Sequence, residues 1–235
     1  MVSFILLFSG HFKQYLMIMG ITLFHEMGHI IMAKILKWDI KEMVILPFGC
    51  ITHFQTELNV QLKEEFLVAV AGPIFQMIGA TIYYYFTKDG LFWFYHQTLL
   101  ILNLIPIIPL DGSKILQVFL HKFFPYKKTL FISLKISYLF LLGVFILQVV
   151  NFNFLILLWA ILLLLENKKE KEIQPLKFYL FLKERYQNHY KFPYRYLNCE
   201  DVGMIQKEYQ TIFMNKYTEK EVIKRYFIRK KIRLM

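Results

Sequence analysis

The sequence predicts an all-α polytopic membrane protein of about five to six transmembrane helices, with a short membrane-associated β-hairpin and a small cytosolic C-terminal tail. Three observations carry this. The 235 residues are 57% hydrophobic and 18% aromatic, with a mean hydropathy of +0.41, above an ordinary soluble domain. The apolar residues come in runs of span length rather than scattered around one core. The net charge of +11 is uneven, since residues 166–235 hold 17 of the 28 Lys and Arg and 9 of the 17 Asp and Glu, a net of +8.

Met1–Ser9 is apolar but shorter than the ~20 residues a span needs, and it lacks the basic leader and cleavage site of a signal peptide. Tyr15 to Leu36 is long enough to cross and ends at Lys34 and Lys37. Ile40–Leu46 is aliphatic and β-branched, Pro47-Phe48-Gly49 has turn chemistry, and Cys50–Phe54 can return as a strand. A hairpin there would offer an edge to an extended peptide; a plain connecting loop is the other reading.

Phe66–Phe86 is the next span, with Ala69, Ala71, Gly72 and Gly79 as small contact residues and Pro73 requiring protein packed against it. Lys88-Asp89-Gly90 is a turn. Leu91–Leu110 is apolar until Pro106 and Pro109, which should unwind it before Asp111-Gly112. Ser113–Phe124 reads as an amphipathic surface stretch, Thr129–Val150 as a span, and Phe152–Leu165 as a short final one after a turn at 151–153. Lysines at 34, 37, 41, 114–128 and in the tail put those segments inside, and the turns at 87–90 and 151–153 outside.

The division expected is a transmembrane part, 1–165, and a basic cytosolic tail, 166–235, with helices at Phe178–Tyr186 and Glu219–Ile228. The tail charge fits a topogenic signal and a face for anionic lipid headgroups. Nucleic acid is not expected as a partner, because acidic residues are interleaved and no binding motif appears. Cys50 and Cys199 suggest no disulfide. His96, His121 and His189 read as ordinary surface or interfacial residues.

The chemistry centres on His25-Glu26-Met27-Gly28-His29. Residues four apart share a helix face, so His25 and His29 can offer two imidazoles to one metal ion while Glu26 handles a proton. A core histidine can be merely hydrogen-bonded, but three polar groups within two turns of an apolar helix are costly without a partner of that kind. Asp111 is the candidate third ligand, delivered from unwound backbone. Glu42, Glu57, Asp89 and His53 are rivals in more polar segments, and Asp111 could instead cap the helix that follows it.

Phe24-His25-Glu26-Met27-Gly28-His29, Leu46-Pro47-Phe48-Gly49, Ala71-Gly72-Pro73 and Asn103-Leu104-Ile105-Pro106-Ile107-Ile108-Pro109-Leu110-Asp111-Gly112 together resemble the site-2 protease family of intramembrane zinc metalloproteases, and its sporulation branch above all. The resemblance covers roughly residues 11–186 and implies Zn2+ held by His25, His29 and Asp111, with Glu26 as catalytic acid/base. It also implies that Asn103 and Pro109, with Phe48 and Gly49 of the hairpin turn, lie beside the substrate. The implied partners are a membrane-tethered precursor, pro-sigma-K in the sporulation branch, and small inhibitory membrane proteins.

Four departures stand out. The family's first span appears only as Met1–Gly10, and Gly49-Cys50 stands where two glycines are usual. Gly112-Ser113 replaces a second glycine pair, and the tail resembles an abridged CBS region. Two rival classes remain, a metal transporter and a silent scaffold.

Overall fold

The structure is a computed structural model, and it describes residues 12–46, 49–55, 58–188, 190, 192–197, 201–213 and 217–232. Met1–Gly10, Phe48 and Glu57 of the sequence reading lie outside the described residues. The chain divides into two compact units.

The first unit holds α1 (Phe12–Ile35), the strands β1 (Asp39–Leu46) and β2 (Gly49–Gln55), α2 (Leu62–Thr87) from Lys63 onward, α3 (Gly90–Leu104), and Leu110–Gly112. Helix α1 ends in a left-handed turn at Lys37 (φ 60°), where Lys37 N donates to Lys34 O and Trp38 N to Ala33 O. That pair of bonds is a Schellman stop, with lysine in the place where glycine is usual.

The expected hairpin follows. β1 and β2 pair antiparallel from Asp39 opposite Gln55 to Leu46 opposite Gly49, with a bulge between Ile40 and Glu42. A bulge adds one residue to one strand and sharpens its twist. Trp38 Nε1 ties the hairpin's start to Glu64 Oε2 at 3.0 Å, in the first turn of α2.

Glycines let α1 and α2 approach closely. A Cβ on Gly28 would lie 2.5 Å from the Ala71 carbonyl oxygen, and one on Gly79 would strike the Phe24 ring. Small residues allow such backbone contact between apolar helices. Asp89 caps α3 by accepting from Leu91 N and Phe92 N, and those bonds hold its carboxyl below the usual carboxylate range. Ile21, Ala80 and Phe92 form the buried centre of this unit. Helix α3 stops at Leu104, just before Pro106, as the prolines predict.

The second unit comprises Glu57–Leu62, Pro106–Pro109 and Ser113–Met235. Its elements are α4 (Asp111–Phe123), whose first two residues belong to the first unit, α5 (Tyr126–Val150), α6 (Phe154–Gln187), β3 (Tyr194–Leu197), β4 (Gln210–Phe213) and α7 (Glu219–Ile232). The helix expected at Phe178–Tyr186 is the end of α6, a single 34-residue helix that runs across position 165 and through Pro175. At 1.5 Å per residue it is about 50 Å long, more than the ~30 Å of a bilayer's hydrocarbon. The parallel pair β3–β4 was not expected from the sequence.

The core here is Tyr126, Leu130, Phe178, Phe181, Leu182, Val202, Ile205, Phe213, Val222 and Ile223. Arg185 binds it together: Nε donates to Asn59 Oδ1 (2.6 Å), and Nη1 and Nη2 donate to the carbonyls of Tyr209 and Gln206 (3.0 Å each). Its ion-pair partner is Glu219, 3.7 Å away, whose carboxyl burial pushes up. Ile108, in the irregular stretch between α3 and α4, has both backbone groups satisfied. Its N–H donates to Ser137 Oγ (3.0 Å) and its carbonyl accepts from Asn167 Nδ2 (2.8 Å), while Ser137 Oγ donates to Asn167 Oδ1 (2.6 Å).

Among the described residues, three helices, Lys13–Ile35, Leu62–Thr87 and Tyr126–Val150, are long and apolar enough to cross a membrane. The chain is an integral membrane protein, mostly helical. The expectation that His96 and His121 lie at the surface fails: they are 3% and 4% exposed, packed inside α3 and α4. A lone histidine has no periodic signal to show which way it faces, so the sequence did not reveal this. His189 lies outside the described residues.

Candidate metal centre

Helix α1 puts His25 one turn before His29, and both rings face inward at 3% exposure. The ring centroids are 4.8 Å apart, edge to face. The turn after α3 delivers Asp111, 6% exposed, as the first residue of α4. Asp111 Oδ2 lies 2.9 Å from His25 Nε2 and 3.1 Å from His29 Nε2, and the two nitrogens are 3.1 Å apart. Among the described residues this is the group of three metal-ligating side chains that converges.

The site's shape comes from α2. A Cβ on Gly72 would sit 2.8 Å from His25 Nε2 and nearer still to His29 Nε2, so only glycine leaves the imidazoles their space. Gly112 is equally confined, because a Cβ there would strike the carbonyls of Leu104 and Ile105.

The donor set fits a cation. His29 Nδ1 lies 2.7 Å from the Val68 carbonyl oxygen, which can only accept, so Nδ1 carries a proton and, in the neutral ring, Nε2 bears the lone pair. That lone pair faces the Asp111 carboxylate. A proton on His25 Nε2 could bridge one pair of the three atoms and would leave the remaining repulsion buried. A metal ion satisfies all three, and bonds of about 2.0–2.2 Å to nitrogen and oxygen reach a point above their triangle.

The other predicted residues fall as follows. Glu26 is half-buried on α1 beside His25. Asn103 is half-buried in the last turn of α3, and Pro109 is exposed, two residues before Asp111. Gly49 opens β2 opposite Leu46, and Phe48 is outside the described residues. Of the rivals to Asp111, Asp89 is committed to capping α3 and lies 3.4 Å from Lys13 Nζ, while Glu42 and His53 are paired positions in the β1–β2 register. Sequence reading missed Gln76, 2% exposed, whose Oε1 lies 2.9 Å from His25 Nδ1. It stands one turn beyond Gly72 on α2, a position the Ala-Gly-Pro motif could have flagged.

A buried pair of histidines on one apolar helix, met by an aspartate from a broken one, makes a group that could hold a metal ion within a membrane protein. Residues 14–92 match the model of peptidase family M50, and the resemblance to the site-2 proteases read from the motifs holds. The chain is 37% identical over 155 residues to the stage IV sporulation protein FB of Bacillus subtilis, covering 61% of this chain and 54% of that one. It is 24% identical over 160 residues to a zinc metalloprotease of Methanocaldococcus jannaschii, covering 63% and 46%. The chain thus spans about half the length of these curated relatives. A solved site-2 protease from Methanocaldococcus jannaschii shares the fold, with a TM-score of 0.54 at 22% identity over 66% of this chain and 76% of that one.

Proposed function

We propose that this chain is a site-2-type zinc metalloendopeptidase that hydrolyses a peptide bond in a membrane-tethered protein. The observation that supports it best is the triangle of His25 Nε2, His29 Nε2 and Asp111 Oδ2, all within 3.1 Å and buried among apolar helices. These three side chains would hold zinc, which supplies Lewis acidity and lowers the pKa of a bound water to about 7. Glu26 takes a proton from the attacking water and hands it to the leaving amine nitrogen, so that one carboxylate serves as base and then acid. The β1–β2 edge pairs with an extended substrate, because a helical segment hides its carbonyls from attack.

The substrate read from the sporulation resemblance is the pro-sequence of sigma-K, cut at the mother-cell membrane around the forespore. Asn103, Pro109, Phe48 and Gly49 line its path, and small membrane proteins hold the enzyme inactive. Lysine placement turns the active site toward the cytosol and sets the basic tail, 166–235, with its abridged CBS-like region, against anionic lipid headgroups. We read α3 and the apolar start of α6 as membrane-embedded too, giving five helices in the bilayer.

Co-expression with a tagged, membrane-tethered sigma-K precursor tests the reading. The wild-type chain should shorten the precursor, and Glu26→Gln should keep its zinc and lose cleavage. Cleavage that survives Glu26→Gln would remove the proposed role of Glu26. A zinc-binding chain that transports metal regardless of Glu26 would point to the transporter.

A further inference from the structure

We infer that Gln76 is a positioning residue for the metal site, and that the His96 main-chain carbonyl on α3 fixes the form in which His25 presents its nitrogen. The inference rests on the reading of His25, His29 and Asp111 as ligands. Gln76 is 2% exposed and His96 3%. Gln76 Nε2 lies 3.1 Å from the His96 carbonyl oxygen and 3.3 Å from His96 Nδ1, and Gln76 Oε1 lies 2.9 Å from His25 Nδ1.

The two ends of an amide look alike in shape, so the network must decide which is oxygen. Here the carbonyl decides. A main-chain oxygen cannot donate, so turning the amide over would press two acceptors together in a dry setting. The NH2 group therefore faces His96 and the oxygen faces His25. That oxygen can only accept, so His25 Nδ1 carries a proton and the neutral ring offers its lone pair at Nε2.

His29 receives the same instruction from the Val68 carbonyl. In their neutral forms both rings therefore turn the Nε2 lone pair toward Asp111, the arrangement a metal ion needs. One turn of α2 separates Gly72, which clears the space, from Gln76, which orients the ring. Outer partners of this kind typically set metal affinity by 10–100-fold.

The test compares wild type, Gln76→Leu and Gln76→Glu in detergent. Zinc affinity is read by chelator competition, the site's geometry by the visible spectrum of the cobalt-loaded protein, and folding by thermal melting. Gln76→Leu should bind zinc about 10–100-fold more weakly and alter the cobalt spectrum. Gln76→Glu still offers His25 Nδ1 an acceptor and should recover most of the affinity, although its melting point falls because it loses the donor to His96. A merely structural residue would lower both melting points and leave affinity and spectrum alone; that result overturns the inference. If Gln76→Leu does not fold, Gln76→Glu decides, since affinity reduced as far as its stability contradicts the tautomer argument. A wild type that takes up no zinc sinks the ligand reading and this inference together.

Discussion

Asp111 Oδ2 comes within 2.9 Å of His25 Nε2 across 86 residues of sequence. The contact joins the first turn of one helix to the middle of another, and both side chains are buried. Replacing Asp111 by Asn keeps the shape and removes the charge. An amide oxygen is a much poorer zinc ligand than a carboxylate. Asp111→Asn should reduce bound zinc at least about tenfold in dialysed protein, with melting of the metal-free protein little changed. Full zinc retention would show that the carboxylate is not a ligand.

Gly72 makes the same point sterically. Its missing side chain is the space that His25 and His29 occupy. Gly72→Ala must displace an imidazole, and overpacking of this kind costs about 1–3 kcal/mol. Zinc binding should fall more than stability does, as read by metal content against melting. Unchanged zinc content would mean that the helices can part without disturbing the ligands.

The Ile108 clamp is expected to matter for folding. Asn167 is fully buried and accounts for the Ile108 carbonyl, and it also donates to Leu163 O at 2.8 Å. Asn167→Leu leaves the Ile108 carbonyl and the Ser137 hydroxyl short of partners. One unsatisfied buried group costs about 1–3 kcal/mol. Thermal melting in detergent should fall by several degrees, and an unchanged melting point would refute the clamp.

How much of this could be read beforehand depends on how local the signal was. His25 and His29 four apart, the aliphatic and β-branched runs at Ile40–Leu46 and Cys50–Phe54 and the prolines before Asp111 are local patterns, and each marks an element the structure contains. Helix α7, expected from Glu219, begins there. The misses were non-local. Strands β3 and β4 have four residues each and pair in parallel across a 12-residue connection, with no hairpin turn to announce them. The change from apolar to charged composition at residue 165 looked like an end, but α6 continues. Ion pairs such as Lys169–Glu166 and Lys177–Glu170, both 2.6 Å, lie along its polar half. Burial of Gln76 and His96 depends on which helices meet, which a single chain pattern does not encode.

Acid should loosen the second unit through His121. Its ring is buried against Tyr126, centroids 5.1 Å apart, and Tyr126 stacks in turn on Phe181 at 4.0 Å. Burial, with help from the charge of Lys207, pulls the His121 pKa down to about 3. In the unfolded chain it returns to about 6.5. Between those values the unfolded state binds a proton that the folded state refuses, so stability rises with pH there. The contribution is complete above about pH 6.5 and is lost as pH falls toward 3, at up to about 1.4 kcal/mol per pH unit. Glu219, pushed up by burial, has the opposite sign and is common to both proteins in the comparison. His121→Phe keeps an aromatic ring against Tyr126 and removes the titration. Melting of the wild type should drop between pH 7 and pH 5, and the variant should drop measurably less; equal slopes would show that His121 does not carry the effect.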